Sequence, residues 1–290
     1  MKSEGVSHCR ERWIGAIGRV LRATPNFRGK SRLSELLLKK SVKKFDLEYV
    51  VPIRRGNLFI VCKLSDWIPW NIFIHGCYIT ESGYETFMLE KVSGADVTMD
   101  VGANIGYYSV QFSRLTDGKV YSFEPMSYQY SVLKKNLELN GIENVIPVKR
   151  IVSNTSGKKR IYYSGPDNTG ASSLVKKSGE YEDVQAITID DYCDEQKIAQ
   201  VDLMKIDVEG HEMDVLMGMS GCLRQQRVRH LFVEISGENL EKAGSSVQEL
   251  CTFMQAFGYH PYSIKTGKME EYRIGDDESL VYFTVPEGDS

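Results

Sequence analysis

Read from the amino end, the spacing of apolar residues first has a helical period. Trp13, Ile14, Ile17, Val20 and Leu21 share one helical face, with Arg10, Arg12, Arg19 and Arg22 largely off it. Residues 10–22 are therefore expected to form a basic amphipathic helix. Thr24 to Lys30 reads as a linker, and Ser31 to Lys44 as a second short basic helix. From Phe45 to Ile79 the period shortens to strand-like runs, LEYVV, NLFIVCKL and NIFIHGCYI, around a turn at Arg55-Gly56-Asn57. Residues 1–80 are thus expected to be basic helices with a small β-rich cap.

Beyond residue 81 the two periods alternate. Ser82 to Lys91 reads as a helix capped by Ser82 with Glu85 at its third position. Strand patterns follow at DVTMDV, GKVYSFEP, NVIPVKRIV, AQVDLMKID, RHLFVEI, YHPYSI and SLVYFTV. Helical patterns fall between them at GYYSVQFSRL, SYQYSVLKKNLELNG, HEMDVLMGM and VQELCTFMQAFG, while Lys158 to Ile189 (RIYYSG, GASSLV, DVQAITI) reads as an insert of short strands and loop. Such alternation predicts an α/β domain over 81–290, with a mostly parallel sheet, helices on both faces and right-handed crossovers. Ligands of such sheets bind at the carboxyl ends of the strands, where Asp100, Glu124, Asp207 and Glu234 are expected to converge.

The stretch DVGANIG, residues 100–106, joins a strand to a helix. Gly102 can take backbone angles closed to other residues and Asn104 tolerates positive φ, so the loop can turn tightly and offer its amides to an anionic group. It lacks the G-x-G-x-x-G of dinucleotide sites and carries Asp100 two residues before its first glycine. An acid there repels a pyrophosphate but suits a ligand with an ammonium and a sulfonium, as S-adenosylmethionine has. Glu124, at the next strand end, is placed to accept ribose hydroxyls of either cofactor class.

Composition narrows this picture little, but charge does change it. The formal charge of −3 divides into fifteen Lys/Arg against five Asp/Glu over residues 1–63, and twenty-one against thirty-four over the rest. The basic arm admits peripheral contact with an anionic membrane surface. An acidic remainder argues against nucleic acid. Cysteines 9, 62, 77, 193, 222 and 251 form no C-x-x-C pair, so neither disulfide framework nor zinc site is indicated and a cytoplasmic setting is the default. Arg19 and Arg22 interrupt the early apolar run, against a secretory signal.

In order along the chain, DVGANIGYYS, FEP, LELNG, SNTSG, GASS, TIDDY and LMKIDVEGHEMDVLMG resemble the FkbM-type family of class I S-adenosylmethionine-dependent methyltransferases, over roughly Tyr84 to Glu234. The resemblance implies a Rossmann-like, seven-stranded, mostly parallel sheet whose last strand is antiparallel. The implied activity is O-methylation of hydroxyls on sugars and other natural products. Carried over residue by residue, Asp100, Gly102, Asn104 and Gly106 would hold the methionine part, Glu124 the ribose, and Ile151 would lie near the adenine.

The acceptor implied is a saccharide, glycolipid or other small-molecule hydroxyl. Asp207 and Glu209 lead as base or substrate clamp, with His211 behind them. A divalent cation held by the same carboxylates with Glu234 is the less favoured arrangement. Two other readings stay open: a nicotinamide-dependent oxidoreductase, and a non-catalytic methyltransferase-like module. Nothing in the sequence fixes the oligomeric state.

Overall fold

The computed structural model describes residues 2–25, 27, 29–45, 47–54, 57–78, 82–163, 179–265, 267–275 and 280–286. Contacts gather the chain into two compact units, one holding Met1–Thr80 and the other Glu81–Ser164 with Ala171–Ser290.

The first unit contains α1 (Lys2–Ala23), α2 (Lys30–Phe45), the antiparallel hairpin of β1 (Glu48–Pro52) and β2 (Phe59–Lys63), and α3 (Trp67–His75). Ile14 and Leu21 of α1 are buried, as the helical spacing requires. A Cβ at Gly18 would stand 2.3 Å from the Phe73 ring, so this glycine lets α1 cross α3 closely. The run NIFIHG, expected as a strand, is helical instead. Pro69 lies in the first turn of α3, where a missing N–H costs no helical bond, and Gly76 closes the helix at φ 72°. A short apolar run fits either period, and here a proline in the first turn goes with the helix.

The second unit opens with α4 (Ser82–Val92), β3 (Val97–Val101), α5 (Tyr107–Phe112), β4 (Lys119–Phe123), α6 (Ser127–Leu139) and β5 (Val145–Val148). An insert follows as β6 (Ile151–Val152), β7 (Gly157–Tyr162) and β8 (Tyr181–Ile187), leading into α7 (Ile189–Gln196). The rest is β9 (Val201–Ile206), α8 (Glu212–Met217), α9 (Ser220–Arg224), β10 (Val228–Glu234), α10 (Gly237–Ala243), α11 (Val247–Ala256), β11 (His260–Lys265), β12 (Lys268–Glu271) and β13 (Leu280–Thr284).

Eight strands form one sheet in the order β12-β11-β13-β10-β9-β3-β4-β5. The five from β10 to β5 are mutually parallel, and β13 runs antiparallel between β10 and β11. Without β12 this is the α/β sheet of seven strands, last strand antiparallel, that the sequence led us to expect. The eighth strand pairs with β11 and exposes all four residues, so no apolar pattern announced it. The expected third strand is split. Val145–Val148 joins the main sheet, whereas Ile151–Val152 pairs with β8 in a separate three-stranded sheet β6-β8-β7. The helix expected over HEMDVLMGM ends at Met217 and a new one starts at Ser220. The turn at Gly218 packs so closely that a Cβ would sit 2.1 Å from the Ser153 carbonyl. The Ser82 side chain, the Arg55-Gly56 turn, Ile79 and the GASS stretch lie outside the described residues.

The loop after β3 is locked onto the end of β9. At Gly102, φ is 84° and a Cβ would lie 1.8 Å from the Asp207 carbonyl oxygen, whereas Gly141, at φ 59°, has open space around it. Both alanine substitutions carry the left-handed penalty, but only Gly102→Ala adds a backbone collision. We expect about 3 kcal/mol or more of lost stability for Gly102→Ala and roughly 1 kcal/mol for Gly141→Ala, read by urea unfolding. Equal losses would contradict this packing.

Candidate active site

Polar side chains interrupt the sheet in one row. Asp100 on β3 is in register with Ser122 on β4 and Lys205 on β9, so the three project to the same side, and all are buried. A buried ammonium needs a counter-charge. Lys205 Nζ donates to Asp207 Oδ2 at 2.8 Å and lies 4.8 Å from the centre of the Tyr108 ring. Ser109 donates to Asp100 Oδ2 at 2.6 Å, and Ser122 donates to Ser109 at 2.8 Å. Asp100 Oδ1 is buried with no hydrogen-bond partner. Burial raises the Asp100 carboxyl above its usual range, against the pull of Lys205 and the Ser109 hydroxyl.

The loop does something other than expected. Gly102 and Ala103 N–H donate to the Phe123 carbonyl at 3.0 and 2.9 Å, and Gly106 N–H to Ala103 at 2.8 Å. Asn104 N–H donates to Glu124 Oε2 at 2.9 Å, and Ile105 N–H to the Asn104 side chain at 2.8 Å. The amides of Gly102 to Gly106 are thus used in fastening β3 to β4 and in shaping the turn, not held open as an anion cradle. Asn104 and Gly106 both have positive φ, and a Cβ at Gly106 would stand 2.4 Å from Leu133. Glu124 holds the far side, since its Oε1 also accepts the Met126 N–H at 2.8 Å. Burial, ahead of its neighbours, pushes its carboxyl up to about 7. Ile151 is buried in a small cluster with Met126, Ile161, Val184 and Ala186.

After β9 the chain turns through Asp207 to Glu212. Glu212 Oε1 accepts from Val208 and Gly210 N–H at 3.2 and 3.0 Å and so shapes this turn, while its Oε2 is buried and unpartnered. Glu209 sits at φ 54° and is exposed. Its Oε2 accepts from Asn239 at 3.2 Å. Although its side chain is open to solvent, the protein packed around Glu209 strips part of its hydration and the Asp207 and Glu212 carboxylates repel its charge, so its carboxyl is pushed up to about 7. Asp207 is driven the other way. Burial would raise it, but Lys205 and a hydrogen bond shared with Glu234 outweigh that and hold it below the usual range. His211 stands apart from this group: its Nδ1 is 3.4 Å from Asp214, which also accepts from Asn154 at 2.7 Å.

The structure therefore brings together Asp100, Glu124, Asp207, Glu209 and Glu234 at the carboxyl ends of adjacent strands. Among the described residues no group of three or more His, Cys, Asp or Glu side chains is arranged to hold a metal ion. The cation beside Asp207 is the Lys205 ammonium. Lys205, Ser109 and Asn239 escaped the reading of the sequence. For Lys205 the signal was there, a lysine set between Leu203-Met204 and Ile206 of a buried strand.

The hexuronic acid methyltransferase AglP of Haloferax volcanii is 31% identical over 148 residues, 51% of this chain and 59% of that protein. The methyltransferase sdnD of Sordaria araneosa is 30% identical over 154 residues, 42% of this chain and 59% of that protein. The matched part thus spans about three-fifths of each relative. The solved SAM-dependent O-methyltransferase of Thermotoga maritima is similar at 13% identity and TM-score 0.39, over 83% of this chain and 79% of that one. The model of the methyltransferase FkbM domain matches residues 100–261, more than half of the chain and the whole of the site just described. This chain belongs to the FkbM methyltransferase family.

Proposed function

We propose that the chain is an S-adenosylmethionine-dependent O-methyltransferase acting on a hydroxyl of a saccharide, glycolipid or related natural product. The observation that carries the cofactor is the donor set. Asp100 Oδ1, buried and lacking a partner, is short of a hydrogen-bond donor, which an ammonium group would supply. Glu124 accepts one amide at each carboxylate oxygen and retains lone pairs for ribose hydroxyls. Asp100, Gly102, Asn104, Gly106 and Glu124 would hold the cofactor, with the glycine loop setting the distance between the two acids rather than binding an anion itself. When bound, S-adenosylmethionine supplies a methyl group on a sulfonium, whose sulfur departs without needing a proton.

The protein's remaining task is the acceptor. A sugar hydroxyl is a weak nucleophile near neutral pH and needs a group to take its proton as the new bond forms. Asp207, held low by Lys205, is a poor base and a good fixed acceptor of a hydroxyl hydrogen bond. Glu209 is exposed, poised near 7, and held by one hydrogen bond from Asn239, so it takes the proton. His211, engaged with Asp214, has the smaller part. A saccharide acceptor is supported by the hexuronic acid named for the Haloferax relative.

Two predictions follow from these assignments. Losing a charge-assisted hydrogen bond costs about 1.5–3 kcal/mol, so Asp100→Asn and Glu124→Ala are each expected to weaken S-adenosylmethionine binding roughly ten- to hundred-fold by calorimetry. Unchanged affinity in both, or nicotinamide binding in its place, would sink the cofactor assignment. Transfer of labelled methyl to uronic-acid oligosaccharides or fractionated glycolipid should rise with pH through about 7, because the base works only when ionised. Glu209→Gln should remove that limb and lower turnover about 10²–10⁴-fold with cofactor affinity kept, and His211→Ala should lose less. A pH profile that survives Glu209→Gln would move the base elsewhere.

A further inference from the structure

Exposed large apolar side chains are unevenly distributed. Of the fifteen among the described residues, nine (Trp13, Val20, Phe27, Leu33, Leu36, Leu37, Val50, Phe59 and Trp67) lie in the unit Met1–Thr80. That unit also holds a groove of about 1040 Å³ between α1, the β1–β2 hairpin and the end of α3. Small residues open it: Gly15 and Ala16 line its α1 wall, and a Cβ at Gly15 would already stand 3.2 Å from the Tyr49 ring.

Four guanidiniums line this groove, from Arg12, Arg19, Arg22 and Arg54, against one carboxylate, Glu11. Arg12 and Arg19 are two turns apart on α1, and Arg22 is fixed by donating to the Phe73 carbonyl at 2.5 Å with its guanidinium 5.2 Å from the centre of the Phe73 ring. Among the described residues none of the four forms an ion pair with a carboxylate. The positive charge is therefore not cancelled locally. His75, behind the groove, registers it: burial first, then Lys30 and Arg54, push its imidazole down to about 4. The two rims are apolar and open to solvent, with Trp13 56% exposed on the helix side and Val50 55% exposed on the hairpin side.

We propose that this groove is a binding site for the phosphate of a membrane phospholipid, which docks the Met1–Thr80 unit on an anionic bilayer surface. Guanidiniums pair phosphate oxygens in bidentate fashion. A soluble phosphate would satisfy the arginines but leave the rims in water. A lipid surface takes both, since Trp13 and Val50 can enter the boundary between headgroups and acyl chains while the arginines stay at phosphate level. Among the described residues no helix is long and apolar enough to cross a membrane, so the contact is with one surface. This site is independent of the methyl-transfer reading.

The test uses the full chain and vesicles of phosphatidylcholine with or without phosphatidic acid. Sedimentation is expected only with phosphatidic acid, weakening as salt rises, and Trp13 fluorescence should shift to the blue on binding. Arg12→Gln, Arg19→Gln and Arg54→Gln alter exposed side chains, unlike Arg22, so the fold should survive, as circular dichroism would verify. Each should lower vesicle partition about fivefold, and Trp13→Ala should remove the fluorescence shift and weaken binding. Glycerol 3-phosphate should fail to displace the protein. Equal sedimentation with both vesicle types, wild-type partition of the triple arginine variant, or displacement by glycerol 3-phosphate would each overturn the assignment. None of these outcomes touches S-adenosylmethionine affinity, which is measured in parallel.

Discussion

A lysine ammonium buried in the middle of a sheet sets the terms for everything around it. Lys205 is almost inaccessible and stands in register with Asp100, and burying it is tolerable because the Asp207 carboxylate accepts a hydrogen bond from its ammonium at 2.8 Å. Removing one partner of such a pair costs about 3–5 kcal/mol, far more than an exposed pair is worth. That constraint fixes Asp207 just past the end of β9. It also leaves Asp100 facing a positive neighbour without a donor on its second oxygen, a carboxylate held ready rather than satisfied.

From there the site's two edges diverge. On the side of β3 and β4, backbone and carboxylate are woven together: four of the five amides from Gly102 to Gly106 end on Phe123, Glu124 or Asn104, and Glu124 is locked between two N–H donors. That edge is rigid and suits a ligand held in one pose. On the side of β9 and β10, Asp207, Glu209 and Glu212 crowd into one turn, and Glu234 at the end of β10 shares a hydrogen bond with Asp207. Like charges at short range cannot all ionise with equal ease, and the crowd separates into a low carboxylate beside Lys205 and a raised one at Glu209. A pair of acids pushed apart in this way is what proton transfer beside a fixed clamp requires.

Much of this was legible in the sequence. The period changes located the parallel strands, and the strand-end acids Asp100, Glu124, Asp207 and Glu234 stand where alternation placed them. What failed did so for physical reasons. NIFIHG carries no polar alternation to separate helix from strand, and Pro69 decides the matter only once its place in the first turn is known. Lys268–Glu271 is a strand made by its partner β11, and its one apolar residue, Met269, is exposed. At the site, DVGANIG showed where the chain turns but not where its amides point, because hydrogen-bond partners such as Phe123 lie about twenty residues away. The sorting of Asp207, Glu209 and His211 depended on Lys205, Glu234 and Asp214, whose side chains meet them only in the folded chain.

The raised carboxyls of the site become fully ionised when a cationic cofactor arrives, so counting protons tests the cofactor site most directly. Titrating S-adenosylmethionine into the protein at about pH 6.5, in buffers of different ionisation enthalpy, should show net proton release, smaller near pH 8.5. Glu124, held up to about 7, is the main source, so Glu124→Gln should abolish most of the release. Binding with no proton release, or with proton uptake, at the lower pH would contradict it.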